Sequence, residues 1–353
     1  MTVRTCAAVA AILASAGCGA SPSAEKPGSD SPVKVHAASL KEGFGTFERL
    51  VEAAQKEGAL TVVGLPRDWV NYGEIIDTFA DKYGIEVKQL EPGASSRRAL
   101  DTAARLKPDV FDLTLEEAVG AAGAFAPYKV QGWLDLPDHV KDPAGGWYAA
   151  YGGYMSIGYD PGAVPAPASF ADLAKPGYKV ALDGDPLRSM AAFSGVMAAS
   201  LQGDSPQPQT GVALFAKLKQ AGRFTAPAAA NTVVTWDHVN AARAARDSAA
   251  WKVTIPRDAP LGGYHVQAIS KAAPHPAAAR LWQEFLFSDE GQNLFQKGYA
   301  RPARGEAMLM RGTLDTEQAA KLPKSPGPPV LLTIPQTDAG KSYVKKEWAK
   351  SVG

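Results

Sequence analysis

Several short stretches of this chain carry side chains that could grip a small solute. Asp68, Trp69 and Tyr72 share one loop after an apolar run, and Trp236 and Asp237 share another. An indole face attracts a cation and a neighbouring carboxylate pairs with it. The doublets Asp68-Trp69 and Trp236-Asp237 therefore suit an amine such as a polyamine. Ser95 and Ser96 stand where a helix should begin, and Arg188 and Ser189 close a turn that opens another. Free N–H groups at a helix start suit a phosphonate or a carboxylate, and so does a guanidinium. Tyr264 and His265 alternate along an extended segment, so only one can face a given side; Tyr264 is the preferred one. A zwitterion would use both sets. Each residue also has an ordinary structural use, the serines as helix caps and the tryptophans as packing, and both uses stand open.

Catalytic chemistry finds little foothold. There is no G-x-S-x-G elbow and no H-E-x-x-H or metal-spaced Cys/His cluster. The five histidines, His36, His139, His238, His265 and His275, are scattered. The reading is a binding protein with no catalytic residue, no metal and no cofactor. The 37 Lys+Arg against 36 Asp+Glu leave no basic footprint for a nucleic acid.

The elements that must position these residues alternate. Residues 42–57, 74–83 and 95–106 show apolar spacing of helical period, and 60–64, 85–87 and 110–113 are short apolar strands. The alternation resumes with strand-like 178–183, an Ala-rich helix 190–201, a helix 211–222, and strands 231–236 and 251–255. Such alternation implies a largely parallel sheet. The candidates follow strands or open helices, where open α/β sheets bind ligands. WYAAYGGYMSIGYD at 147–160 is extended, aromatic and Gly-hinged.

Residues 271–302 read KAAPHPAAARLWQEFLFSDEGQNLFQKGYARP. Pro276 fits the first turn of a helix, Leu281, Trp282, Phe285 and Leu286 form one apolar face, and Ser288 can cap a second helix. This wording resembles the C-terminal helices of extracellular solute-binding proteins of ABC importers, in the branch with iron, polyamine and phosphonate binders. The resemblance spans roughly residues 45–304. It implies an α/β type II periplasmic-binding fold, with two lobes, two crossover strands and a cleft. Residues 45–150 would form the first part of lobe 1, 151–262 lobe 2, and 263–304 the return to lobe 1. GGYHVQAI (262–269) resembles the family's return strand, and GDP…S at 184–189 its turn on lobe 2. The glycine pairs 152-153 and 262-263 would be the hinge. Residues 305–353 form a tail without an assigned role, ending in a polar helix. The resemblance implies capture of a polar solute, a polyamine-like cation or an aminophosphonate-like zwitterion, for an ABC permease, by a monomer. A ligand-sensing lipoprotein for a membrane receptor is the alternative. Ferric-ion capture is disfavoured because Val233-Val234-Thr235-Trp236 lacks the adjacent tyrosines of iron-binding relatives.

The N-terminus agrees with export. Residues 1–17 hold Arg4, a short apolar run and small residues, a secretory pattern. Ser15-Ala16-Gly17-Cys18 resembles a lipobox, which would make Cys18 a lipid-modified anchor on the outer face of the cell membrane; a cleaved signal with an incidental cysteine is the alternative. Residues 18–44 would be a flexible tether, since the Ser/Pro/Gly-rich run after Cys18 lacks apolar content. Cys6 and Cys18 are the only cysteines, so the exported domain has no disulfide.

Overall fold

The computed structural model describes residues 32–246 and 251–353; the expected signal segment, Cys18 and the early tether lie outside them. In chain order the main elements are α1 (Phe47–Glu57), β1 (Ala59–Val63), α2 (Tyr72–Tyr83), β2 (Glu86–Leu90), α3 (Ser96–Leu106), β3 (Val110–Thr114) and α4 (Leu115–Gly120). Then come β4 (Trp147–Tyr159), β5 (Val180–Leu182), α5 (Met190–Ala198), α6 (Pro208–Gln220), β6 (Thr232–Trp236), α7 (Asp237–Arg246), β7 (Lys252–Thr254) and β8 (Gly262–Ser270). The chain closes with α8 (Pro276–Leu286), α9 (Asp289–Lys297), α10 (Gly305–Arg311) and α11 (Ile334–Ser351).

The strands form a mixed sheet in the order β2-β1-β3-β8-β4-β6-β5. One wing, β2-β1-β3, is parallel, and so is the β5-β6 pair of the other. β1 is buried along its whole length, as an apolar run covered on both faces should be. Antiparallel β8 and β4 join the wings. The first half of β4 pairs with β8, up to Tyr154 against Gly262, and its second half pairs with β6, from Met155 against Trp236. β4 therefore belongs to both lobes.

Each wing has its own core. Phe79, Trp282 and Phe285 anchor lobe 1. Phe193, Met197, Phe215 and Val344 anchor lobe 2. The α8 start expected at Pro276 is held from outside: the Glu57 carboxylate accepts the N–H groups of Ala277 and Ala278 at 3.0 and 2.8 Å. Ser288 caps α9 by accepting the Gly291 N–H at 3.0 Å.

Four expectations change. The tether boundary at residue 44 is too late: Ser39 opens a helical turn, Phe44 is buried, and Lys129 donates to the Ala38 carbonyl at 2.8 Å. Short polar sequence was mistaken for spacer because its partners lie far along the chain. Residues 237–246 are a helix, continuous with the strand before it. The tail is structural: α11 packs on α6 of lobe 2, with Val344 and Trp348 in that core. Between α10 and α11 the chain crosses the junction again, and the Gly262 N–H donates to the Val330 carbonyl at 2.9 Å. The glycine pairs lie inside the β4–β8 ladder, Gly153 opposite Gly263 and Gly152 opposite Tyr264, and none of the four has a positive φ.

Candidate ligand-binding site

A cavity of about 270 Å³ opens between the lobes. Lobe 1 contributes Trp69, Ser95, Ser96, Asp112, Thr114 and Glu116; lobe 2 contributes Met190, Ser194, Trp236 and His238; the junction strands contribute Tyr151 and Tyr264-His265. Five expected residues thus meet: Trp69, Ser95, Ser96, Trp236 and Tyr264. They come from loops and strand termini far apart in sequence, brought together because β1, β3 and β6 end and β8 begins at the cleft.

The glycine pairs make room for the rings. A Cβ on Gly263 would stand 2.6 Å from Trp236 Cη2, and one on Gly152 would stand 2.7 Å from the Tyr264 ring. A Cβ on Gly153 would meet Asp237 Oδ1 at 2.6 Å. Side-chain crowding, rather than a special backbone conformation, requires glycine here.

The other expected residues do not reach the cavity. Tyr72 is fully buried behind it, donating to Asp112 Oδ2 at 2.6 Å and accepting from Gln267 Nε2 at 3.0 Å. Asp237 is fully buried and turned into the junction, where Oδ1 accepts the Tyr154 N–H at 3.0 Å and Oδ2 accepts from Arg301 Nε at 2.8 Å. Asp68 is exposed and lines a separate hollow of about 620 Å³ that shares Trp69 and His238 with the cavity. Ser189 caps α5, accepting the Ala192 N–H at 3.2 Å. Arg188 points to another hollow, with Lys341 and Lys345 of α11. Asp68 and Trp69 lie in a turn that brings only the indole to the cavity, and Asp237 opens α7, whose start turns the carboxylate into the junction.

Sequence reasoning also missed a polar row that lines the cavity. Asp112, Thr114 and Glu116 follow one another along and past the end of β3, and the rule that ligands sit beyond strand ends applied there too. Asp112 stands in a connected group. Tyr72 and Tyr151 donate to its Oδ2 at 2.6 and 3.1 Å, and His265 Nδ1 lies 2.9 Å from Oδ1. Trp69 Nε1 donates to the Tyr151 hydroxyl at 2.9 Å, which fixes the indole. Burial first, and the Asp112 charge second, hold the Tyr72 and Tyr151 hydroxyls well above the ordinary phenol range. Both remain donors at neutral pH.

The lobes touch where Trp69 meets His238 edge to face, ring centres 5.0 Å apart, and His238 lies parallel to Trp236 at 6.4 Å. His238 is 5% exposed, and neither ring nitrogen has a hydrogen-bond partner among the described residues. Ser95 is occupied as the cap of α3, accepting the Arg98 N–H at 3.3 Å, and Ser96 Oγ accepts the Thr114 N–H at 2.9 Å. Among the described residues no group of three or more His, Cys, Asp and Glu converges to hold a metal ion.

Two α/β lobes joined by shared strands, with an aromatic cavity between them and contacts from both sides, define a cleft-type binding protein. The family model described as bacterial extracellular solute-binding protein matches residues 108–326, and the chain belongs to that family. Solved structures agree on the fold. The periplasmic binding protein AfuA from Actinobacillus pleuropneumoniae, with fructose-6-phosphate bound, is 16% identical; the match covers 84% of this chain and 98% of that one, with a TM-score of 0.61. Iron-bound HitA from Pseudomonas aeruginosa is 20% identical, covering 84% and 99%, with a TM-score of 0.62. An ABC transporter substrate-binding protein from Bradyrhizobium japonicum is 17% identical, covering 84% and 100%, with a TM-score of 0.64. The fold is the type II periplasmic-binding fold expected from residues 271–302. No helix among the described residues is long and apolar enough to cross a membrane.

Proposed function

We propose that this protein captures a small amine-bearing solute outside the cytoplasmic membrane and delivers it to an ABC-type permease. It acts by binding, without catalysis. The observation that carries this reading is the cavity lined from both lobes, Trp69 and Glu116 on one side and Trp236 and His238 on the other. A ligand touching both lobes stabilises the closed arrangement over an open one by its differential affinity, and a permease can read that difference. A polyamine-like cation and an aminophosphonate-like zwitterion both present the ammonium group that such walls accept. Acylation of Cys18 would hold the monomeric carrier on the outer face of the cell membrane, near the permease.

A thermal-shift screen of the exported domain with spermidine, putrescine, 2-aminoethylphosphonate, ferric citrate and amino acids tests it. A ligand at a hundred times its dissociation constant adds about 2.7 kcal/mol. Small-angle scattering should then show compaction with the same ligand. A ligand that binds without compaction removes the closure mechanism.

A further inference from the structure

Resting on the solute-capture reading, we infer that the cavity selects an organic ammonium cation without an acid group, and that Glu116 is its charge partner. Glu116 is a half-buried cavity-lining residue with no hydrogen bond or ion pair among the described residues. Asp112 also faces the cavity but is engaged by Tyr72, Tyr151 and His265. Among the described residues, no lysine or arginine lines the cavity. The cations nearest along the chain are drawn off: Arg97 pairs with Glu117 at 2.7 Å, and Arg98 with Glu91 at 3.0 Å. Arg188, the cation expected here, lies in a different hollow.

A phosphonate or carboxylate group would therefore enter a space with unmatched negative charge and no side-chain cation to meet it. The features favouring an anion are the helix starts on the cavity wall, those of α3, α4 and α5. Each offers a partial charge only, and the two serine hydroxyls at the α3 start already accept backbone N–H groups. An ammonium group meets the opposite conditions. Glu116 supplies a full charge, and the indole faces of Trp69 and Trp236 attract the cation. His238, 5% exposed and with no hydrogen bond to either ring nitrogen among the described residues, has its Nδ1 3.8 Å from Asp237 Oδ1 and offers a ring nitrogen to an N–H of the ligand. A buried polar group without a partner carries a desolvation cost, which such a ligand relieves.

Calorimetry on the exported protein with putrescine, spermidine and 2-aminoethylphosphonate tests the assignment, using wild type, Glu116→Gln and Glu117→Gln. The amines should bind more tightly than the aminophosphonate. Glu116→Gln should weaken amine binding about tenfold or more, the effect of losing a charged hydrogen bond, while the melting midpoint of the ligand-free protein stays unchanged. Glu117→Gln, which releases Arg97 from its ion pair, should weaken amine binding less than Glu116→Gln does. Aminophosphonate bound as tightly as the amines, wild-type affinity in Glu116→Gln, or no amine binding at millimolar concentration each overturns the inference. An acid-bearing solute that binds and compacts the protein in scattering would sink the cation assignment and leave solute capture standing. Absence of binding by every solute tested would sink both.

Discussion

Arg301 and Asp237 form an ion pair across the lobe junction, Nε to Oδ2 at 2.8 Å. Arg301 leaves α9 on the lobe 1 side, and Asp237 opens α7 at the end of a lobe 2 strand. Asp237 is fully buried, and Arg301 also donates to the Pro323 carbonyl at 2.6 Å and stands over the Tyr154 ring. The carboxylate suggested by the sequence as a ligand contact is a strut between lobes and the crossing tail.

Breaking that strut should be costly. Removing one partner of a buried pair leaves an uncompensated charge and costs about 3–5 kcal/mol. Arg301→Met should lower the urea midpoint accordingly, and Arg301→Met with Asp237→Asn should recover part of the loss. Equal stability of wild type and Arg301→Met would remove the strut.

The same pair sets an acid limit. Burial alone would raise the Asp237 carboxyl, but His238 and Arg301 outweigh it and hold the pKa below the ordinary carboxylate value of 3.8. A lowered folded pKa contributes stability above the unfolded value, and that contribution is lost as pH falls through the folded one. Stability measured by urea titration should drop below about pH 4 more steeply in wild type than in Asp237→Asn.

Ring placement depends on glycine. Gly263→Ala would put a Cβ 2.6 Å from Trp236 Cη2 and should cost about 1–3 kcal/mol, the usual range for overpacking. Because the displaced ring belongs to the cavity, ligand affinity should fall with it, and tryptophan fluorescence should report the altered indole.

Trp69 depends on Tyr151. Tyr151→Phe removes the acceptor of the Trp69 N–H and one donor to Asp112, an expected loss of about 1–3 kcal/mol in stability. Trp69→Phe should restore part of it by removing the orphaned donor, as a double-mutant cycle in urea would show.

A protein begun at residue 45 should be less stable than one begun at residue 33. It lacks the buried Phe44 and the Ala37 carbonyl to which Arg280 Nε donates at 2.9 Å. Burial of one such ring accounts for about 1.5–3 kcal/mol, measurable as a lower melting midpoint in the shorter protein.

Much of this was legible in the chain itself. Apolar spacing located α2 around Ile75, Ile76 and Phe79, and α8 around Leu281, Trp282 and Phe285, because one-sided burial imposes a helical period. The short apolar runs marked β1, β3 and β6 because strands covered on both faces need no polar alternation. Half the expected cleft residues also meet there: Trp69, Ser95 and Ser96 follow strand ends, Trp236 closes β6 and Tyr264 stands near the start of β8, positions that chain order reveals.

Sequence alone therefore determined the alternation of elements, the two lobes and the cleft type, since these rest on local periodicity and on wording shared with a family. Tertiary structure decided which way each polar side chain faces. Asp237 and Glu116 are both carboxylates just after a strand, yet one is sealed against Arg301 and the other opens onto the cavity. The difference lies in partners distant in sequence, Tyr154 and Arg301 for the first and, among the described residues, none for the second. Neighbouring residue types cannot encode such contacts, because they exist only once the lobes and the crossing tail have packed together.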